Sequence, residues 1–268
     1  MYLDKKSKIF IAGHRGMVGS SILRHFKKKG YKNLYFKNRN SLNLLDQKNT
    51  HNYLKKIKPD FVIIAAAKVG GILANKEKKA EFIFENITIQ TNLINSSYLV
   101  GVKKLIFLGS SCIYPKYSKQ PIKENYLMTG KLEETNENYA IAKIAGYQMC
   151  DAYNKQYRTN FICLMPTNLY GPNDNYDLKT SHFFPALISK IHFAKKNRKK
   201  SITIWGDGSP KRELMYVDDL ANACEFFLMR KTKHSLINIG SGQEKTILEY
   251  CKFLLKKIDV KLKIKFDI

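Results

Sequence analysis

The stretch from Ser7 to Gly19, SKIFIAGHRGMVG, constrains the fold more than any other. An apolar run, Ile9-Phe10-Ile11-Ala12, enters Gly13, Gly16 and Gly19 and leaves through Ser20-Ser21-Ile22-Leu23-Arg24-His25-Phe26. That order predicts a strand, a glycine turn and a helix. Glycines at this spacing let the chain turn tightly, let a pyrophosphate approach the amides and let the helix pack close on the strand. Amides at the helix start and the helix dipole then favour a bound phosphate. The spacing is GxxGxxG rather than GxGxxG, and an ordinary βα turn can use the same glycines. The turn therefore gains meaning from its surroundings.

Those surroundings alternate. Leu34-Tyr35-Phe36, Asp60 to Ala66, Leu105 to Leu108 and Phe161 to Leu164 read as further strands. Helical patterns at about 17–30, 47–57, 75–100 and 139–157 lie between them. Such alternation means βαβ units and a parallel sheet with right-handed crossovers. From about Thr180 the pattern loosens. His182 to Lys196 reads as a helix, Ile202 to Trp205 as a strand and 206–210 as a turn. Another helix begins with Asp218 or Asp219 near its N-cap. Leu236 to Ile239, Thr246 to Ile258 and Lys261 to Phe266 read as strand, helix and strand. The expected fold class is α/β: a Rossmann-type doubly wound parallel sheet with a small C-terminal substrate-binding lobe. The division is 1–180 and 181–268, with some elements of the second part interleaved with the first. A stop at Ile268, straight after a strand pattern, leads us to expect a truncated lobe.

A chain of 268 residues with 44% hydrophobic content suits one large α/β domain with a small lobe. Its five cysteines, at 112, 150, 163, 224 and 251, form no CxxC pair. That argues for reduced thiols and a cytoplasmic protein, and no metal is expected. The start, MYLDKKSK, lacks a signal-peptide core, and the longest apolar run, Phe61 to Ala67, is too short for a bilayer. The net charge of +25 invites a nucleic-acid reading. The lysines are spread over the whole chain, however, alongside many Asn, Ile, Tyr and Phe. We read a solvated basic surface that attracts small polyanions such as nucleotides, with neither nucleic acid nor membrane as partner.

NAD-preferring folds place Asp or Glu about twenty residues past the glycines. Here no Asp or Glu lies between Asp4 and Asp46, and the second strand ends in Lys37-Asn38-Arg39. Arg39, with Arg15 in the turn, suits the 2′-phosphate of NADP(H), which a carboxylate would repel. Three further features sit at strand ends: Gly109-Ser110-Ser111-Cys112, Tyr139-Ala140-Ile141-Ala142-Lys143 and Pro166-Thr167-Asn168. Tyr139 and Lys143, four apart, share one helix face. An ammonium beside a phenol lowers its pKa towards neutrality, and Ser110 can steady a developing alkoxide.

The stretches FIAGHRGMVGS (10–20), LNLLD (42–46), AAAKVGGI (65–72), FLGSSCIYP (107–115), NYAIAKIAG (138–146), MPTNLYGP (165–172) and WGDGSPKRE (205–213) run through nearly the whole chain. On them the chain resembles the extended short-chain dehydrogenase/reductases. It is most similar to the branch that converts GDP-4-dehydro-6-deoxy-D-mannose to GDP-L-fucose with NADPH, epimerising C3 and C5 before reducing the C4 ketone. The resemblance implies Cys112 as base, His182 as acid, Ser110 and Tyr139 on O4, and Lys143 on the nicotinamide ribose. It implies cofactor contacts from Gly13, His14, Arg15, Gly16, Met17, Val18, Gly19, Arg39, Leu108, Gly109, Ser110, Ser111, Lys143, Pro166, Thr167, Asn168, Leu169 and His182. It implies GDP-sugar contacts from Lys190, Trp205 and Arg212, and a homodimer paired through the helices at 75–100 and 139–157. Two alternatives stay open: another nucleotide-sugar epimerase or dehydratase of the superfamily, or a non-catalytic NADP-binding protein.

Overall fold

Ile9, Phe10, Ile11 and Ala12 are at most 2% exposed, as a parallel strand covered on both faces requires. The computed structural model describes residues 3–178 and 180–268. In its first part β1 (Ile9–Ala12), α1 (Met17–Lys28), β2 (Leu34–Tyr35), α2 (Gln47–Ile57), β3 (Phe61–Ile64), α3 (Ile72–Glu77), α4 (Lys79–Leu99), β4 (Lys104–Leu108), α5 (Glu137–Tyr157) and β5 (Phe161–Pro166) follow one another. Then come β6 (Asn168–Tyr170), α6 (Phe183–Lys196), β7 (Ser201–Trp205), β8 (Lys211–Tyr216), α7 (Val217–Met229), β9 (Leu236–Ile239), β10 (Glu244–Thr246), α8 (Ile247–Ile258) and β11 (Lys263–Asp267).

The main sheet has the order β2-β1-β3-β4-β5-β9, with every neighbouring pair parallel. Side chains alternate across it. Phe10, Val62, Ile64, Leu105 and Phe107 enter one core, which Leu54 of α2, Leu93 of α4 and Cys150 of α5 cover. Ile9, Ile11, Ile63 and Ile106 enter the other, under Ile22 and Phe26 of α1 and Leu220 and Cys224 of α7. A third core joins Leu187 and Ile191 of α6 to Ile202 and Ile204 of β7 and Cys251 and Leu254 of α8. Strand order reverses between β1 and β3, and the crevice beyond the strand ends at such a switch point is where ligands bind.

The structure departs from the sequence reading at definite places. The helix expected over 75–100 breaks at Lys78 (φ −117°, ψ 39°), giving α3 and α4. α7 begins after Tyr216, so Asp218 and Asp219 lie in its first turn rather than at the cap. Asp218 instead accepts hydrogen bonds from Ser21 and Arg24 of α1, tying the two helices together. Although both come late in the chain, α7 packs on α1 and β9 pairs with β5. The sheet β10-β8-β6 has no counterpart in the sequence reading, because β6 and β10 have only three residues each and β8, KRELMY, shows no polar–apolar alternation.

Candidate active site

Each glycine of the turn has its own reason. Gly13 has φ +87°, and a Cβ there would lie 2.6 Å from the Ala66 nitrogen. A Cβ on Gly19 would lie 2.1 Å from the Gly13 carbonyl oxygen. Close packing of turn, helix and β3 loop therefore demands these two. Gly16 differs, since a Cβ there would meet only the Gly13 oxygen, at an ordinary 3.6 Å. Gly16 is the N-cap of α1, with no side-chain cap and no acid in the first turn. Its bareness leaves amides and dipole open to an anion.

A cavity of about 710 Å³ spans the ends of β1, β3, β4 and β5. That is within the usual range for small-molecule sites, about 300–1,000 Å³. Gly13 to Gly19, Arg39, Leu108 to Ser111, Tyr139, Lys143, Pro166 to Leu169 and His182 all line it. Thr167 Oγ1 and Ser181 Oγ are buried without hydrogen-bond partners, and both residues face the cavity. Buried polar atoms of this kind are satisfied by a partner not yet counted. The open helix start, the cationic rim and these two hydroxyls fit a dinucleotide.

The rim holds something the sequence did not reveal. Arg39, 70% exposed, pairs with Glu85 of α4 at 3.6 Å, and Glu85 also pairs with Lys68 at 2.7 Å. The carboxylate missing from the end of β2 is thus replaced by one from a helix over forty positions later. Its charge is shared between two cations.

At the sheet end, Ser110 caps the 3-10 turn Ser111–Ile113, its Oγ accepting the Cys112 N–H at 3.4 Å. α5 presents Tyr139 and Lys143 on one face, with the Tyr139 ring held edge-on by Phe82 at 6.4 Å. Lys143 is 3% exposed and donates to the Leu108 carbonyl at 2.8 Å. Its Nζ lies 5.6 Å from the centre of the Tyr139 ring. Burial pushes the Lys143 pKa down to about 8. Burial, with a smaller contribution from Cys112, pushes the Tyr139 phenol well above its ordinary value. This corrects the expectation that Lys143 lowers the phenol pKa: the ammonium is engaged elsewhere, and desolvation of the phenolate prevails.

Cys112 is not on the cavity wall. It adjoins Ser110 and Ser111, which do line the cavity, and is half-buried. Its thiol interacts with Ser110, is near enough to Tyr139 and Lys143 for mutual electrostatic influence, and has its pKa pushed up to about 11 by burial. His182, the N-cap of α6, opens onto the cavity. Desolvation by the surrounding walls lowers its pKa against a smaller opposing pull from Asp174. Lys190, Trp205 and Arg212 lie outside this cavity. Lys190 sits 5.1 Å over the Trp205 ring and donates to the Thr203 carbonyl, while Arg212 is exposed on β8. The loop from Ala65 to Gly70 forms a wall to which the sequence reading gave no role; its only local signal is the small-residue run after β3.

The NAD dependent epimerase/dehydratase family matches residues 9–240. A GDP-L-fucose synthase of Arabidopsis thaliana is 51% identical over 264 residues, 98% of this chain and 82% of its own. The GDP-L-fucose synthase of Sinorhizobium fredii is 49% identical over 267 residues, 100% of this chain and 85% of its own. The solved structure of a GDP-mannoheptose C4 reductase from Campylobacter jejuni with NADP bound has a TM-score of 0.91 at 35% identity, covering 99% of this chain and 89% of that one. The glycine turn, the strand-end cavity and these likenesses agree: the chain belongs to the NAD-dependent epimerase/dehydratase family, on its GDP-L-fucose synthase branch.

Proposed function

We propose that this chain converts GDP-4-dehydro-6-deoxy-D-mannose to GDP-L-fucose, inverting C3 and C5 and then reducing the C4 ketone. The observation that carries this reading is the likeness, over 98% or more of the chain, to relatives of that name. NADPH supplies the hydride for the last step. The start of α1 would hold its diphosphate, and Arg15 and Arg39 its 2′-phosphate. A surface ion pair is worth only about 0–1 kcal/mol, so a phosphate competes well with Glu85 for Arg39.

Protons beside a ketone are acidic because the carbanion delocalises into an enolate. Ser110 and Tyr139 hold O4, where that charge gathers. With the thiol pKa at about 11 and the imidazole pKa lowered, Cys112 rests protonated and His182 neutral. One proton passed from Cys112 to His182 leaves a thiolate to take the sugar proton and an imidazolium to give one back. The Lys143 charge favours that thiolate. In the reduction, the protonated Tyr139 phenol donates to O4 as C4 accepts hydride. Trp205 offers an exposed indole face to the guanine, with Lys190 and Arg212 for the GDP-sugar's charge.

Two copies pair through α4 and α5, which carry exposed Phe84, Ile141 and Tyr157. Among the described residues no helix is long and apolar enough to cross a membrane. The free thiols support a cytoplasmic site.

The test is incubation with NADPH and GDP-4-dehydro-6-deoxy-D-mannose, following loss of the reduced-nicotinamide absorbance. Bound but unoxidised NADPH would overturn the reading. Cys112→Ser is expected to slow deuterium uptake from solvent at C3 and C5 by about 100-fold or more, with the already epimerised ketone still reduced. Equal losses in both steps would rule out its role as base. NADPH affinity is expected to weaken as pH rises through about 8, where buried Lys143 loses the charge that attracts a polyanion. A titration flat from pH 7 to 9 would contradict this.

A further inference from the structure

The segment that carries His182 is tied to the loop after β3 one and two residues before the histidine. The Gly71 N–H donates to the Thr180 carbonyl at 2.8 Å. A Cβ on Gly71 would lie 2.6 Å from the Ser181 carbonyl oxygen and 3.2 Å from that of Thr180. Gly71 has φ −68° and ψ −176°, a conformation open to any residue. Its glycine is therefore explained by the close approach of two backbones and not by the turn.

The two sides of this junction are both hydrogen-bonded but differ in burial. On the loop side, Asn75, 7% exposed, donates to the carbonyls of Gly70 and Gly71 at 2.8 and 3.0 Å. Asn86 of α4, 2% exposed, accepts the Lys68 N–H at 2.9 Å and donates to the Lys68 carbonyl at 3.0 Å. On the other side, the Thr180 N–H and hydroxyl both bond the Asp177 carboxylate at 2.9 Å. The Ser181 N–H donates to the Asp177 carbonyl at 2.9 Å and Asn175 donates to the Thr180 hydroxyl at 2.9 Å, with Asn175, Asp177 and Thr180 all exposed. The exposed side yields more readily than the buried one, so a widening of the junction falls mainly on residues 180–182.

We propose that Gly71 is a positioning residue for His182, setting where the imidazole stands through the Thr180–Ser181 backbone. The proposal rests on the reading of His182 as the proton donor in epimerisation. A carbon and an oxygen settle about 3.3–3.6 Å apart, so a methyl at position 71 displaces the segment by on the order of 1 Å. Misplacing a proton-transfer group by that much costs roughly 100-fold in rate.

The test compares the full-length protein with Gly71→Ala, His182→Ala and the double variant. Three quantities are read: NADPH binding, deuterium uptake at C3 and C5 of GDP-4-dehydro-6-deoxy-D-mannose, and reduction of the epimerised ketone. Gly71→Ala is expected to lower uptake about 100-fold, to change the other two by less than about threefold, and to add nothing to the loss from His182→Ala. Independent losses that multiply would reveal a general structural role and overturn the proposal. Normal uptake in Gly71→Ala beside lost uptake in His182→Ala overturns the positioning role alone. Normal uptake in His182→Ala removes the reading of His182, and the positioning role with it. Should Gly71→Ala not fold, Asn75→Ala loosens the same junction, with about a tenfold loss of uptake expected. Unchanged uptake in that variant overturns the proposal.

Discussion

Gly19→Ala is expected to cost about 4 kcal/mol or more in stability, while Gly16→Ala keeps the fold within about 1 kcal/mol and weakens NADPH at least about tenfold. The added methyl at Gly19 would stand 2.1 Å from the Gly13 oxygen, 2.6 Å from the Gly13 carbonyl carbon and 2.9 Å from the His14 Cα. These are backbone atoms, so no rotamer change relieves the clash and α1 must part from β1. That separation opens the core where Ile22 and Phe26 pack on Ile9 and Ile11. A domain has only about 5–15 kcal/mol in hand, so the loss consumes much of it. At Gly16 the methyl meets nothing of the protein closer than 3.6 Å and occupies space beside the helix start. Denaturant midpoints and a fluorescence titration with NADPH separate the two effects. A stable Gly19→Ala, or a Gly16→Ala that binds normally, would contradict the roles assigned here.

Tyr139→Phe is expected to slow ketone reduction by roughly 10²–10⁴-fold, the usual contribution of a positioned proton donor. The ring stays seated against Phe82, so NADPH binding is unchanged. Deuterium uptake at C3 and C5 falls less, because Ser110 still holds O4 and the proton transfers belong to Cys112 and His182. Single-turnover reduction of the epimerised ketone is the measurement that isolates the effect. A loss of less than about fivefold would mean that another group protonates O4. The raised phenol pKa matters here, because a donor must arrive protonated, and burial keeps it so.

Much of the site could be read from local pattern. The apolar run before Gly13 marked β1, and the Tyr139–Lys143 spacing placed both side chains on one face of α5. Gly13 to Gly19, Arg39 and the ends of β4 and β5 all face one cavity. The reading erred where short range and long range disagree. Spacing suggested that Lys143 acidifies Tyr139, yet the ammonium bonds Leu108, 35 positions away, and burial acts on the phenol instead. β6 and β10 are too short, and β8 too irregular in pattern, to announce themselves.

The sequence by itself determined the strand-turn-helix that opens the chain, the parallel sheet built around it and the residue types at the strand ends. These follow from hydrophobic period and from glycine, which act between neighbours in the chain. Only the tertiary structure decided that Glu85 shares Arg39 with Lys68, that burial pushes the phenol and thiol further above their ordinary pKa values, and that Gly71 meets Ser181. Each of these depends on distance between residues far apart in sequence, or on how much water a fold removes, and no local pattern carries either quantity.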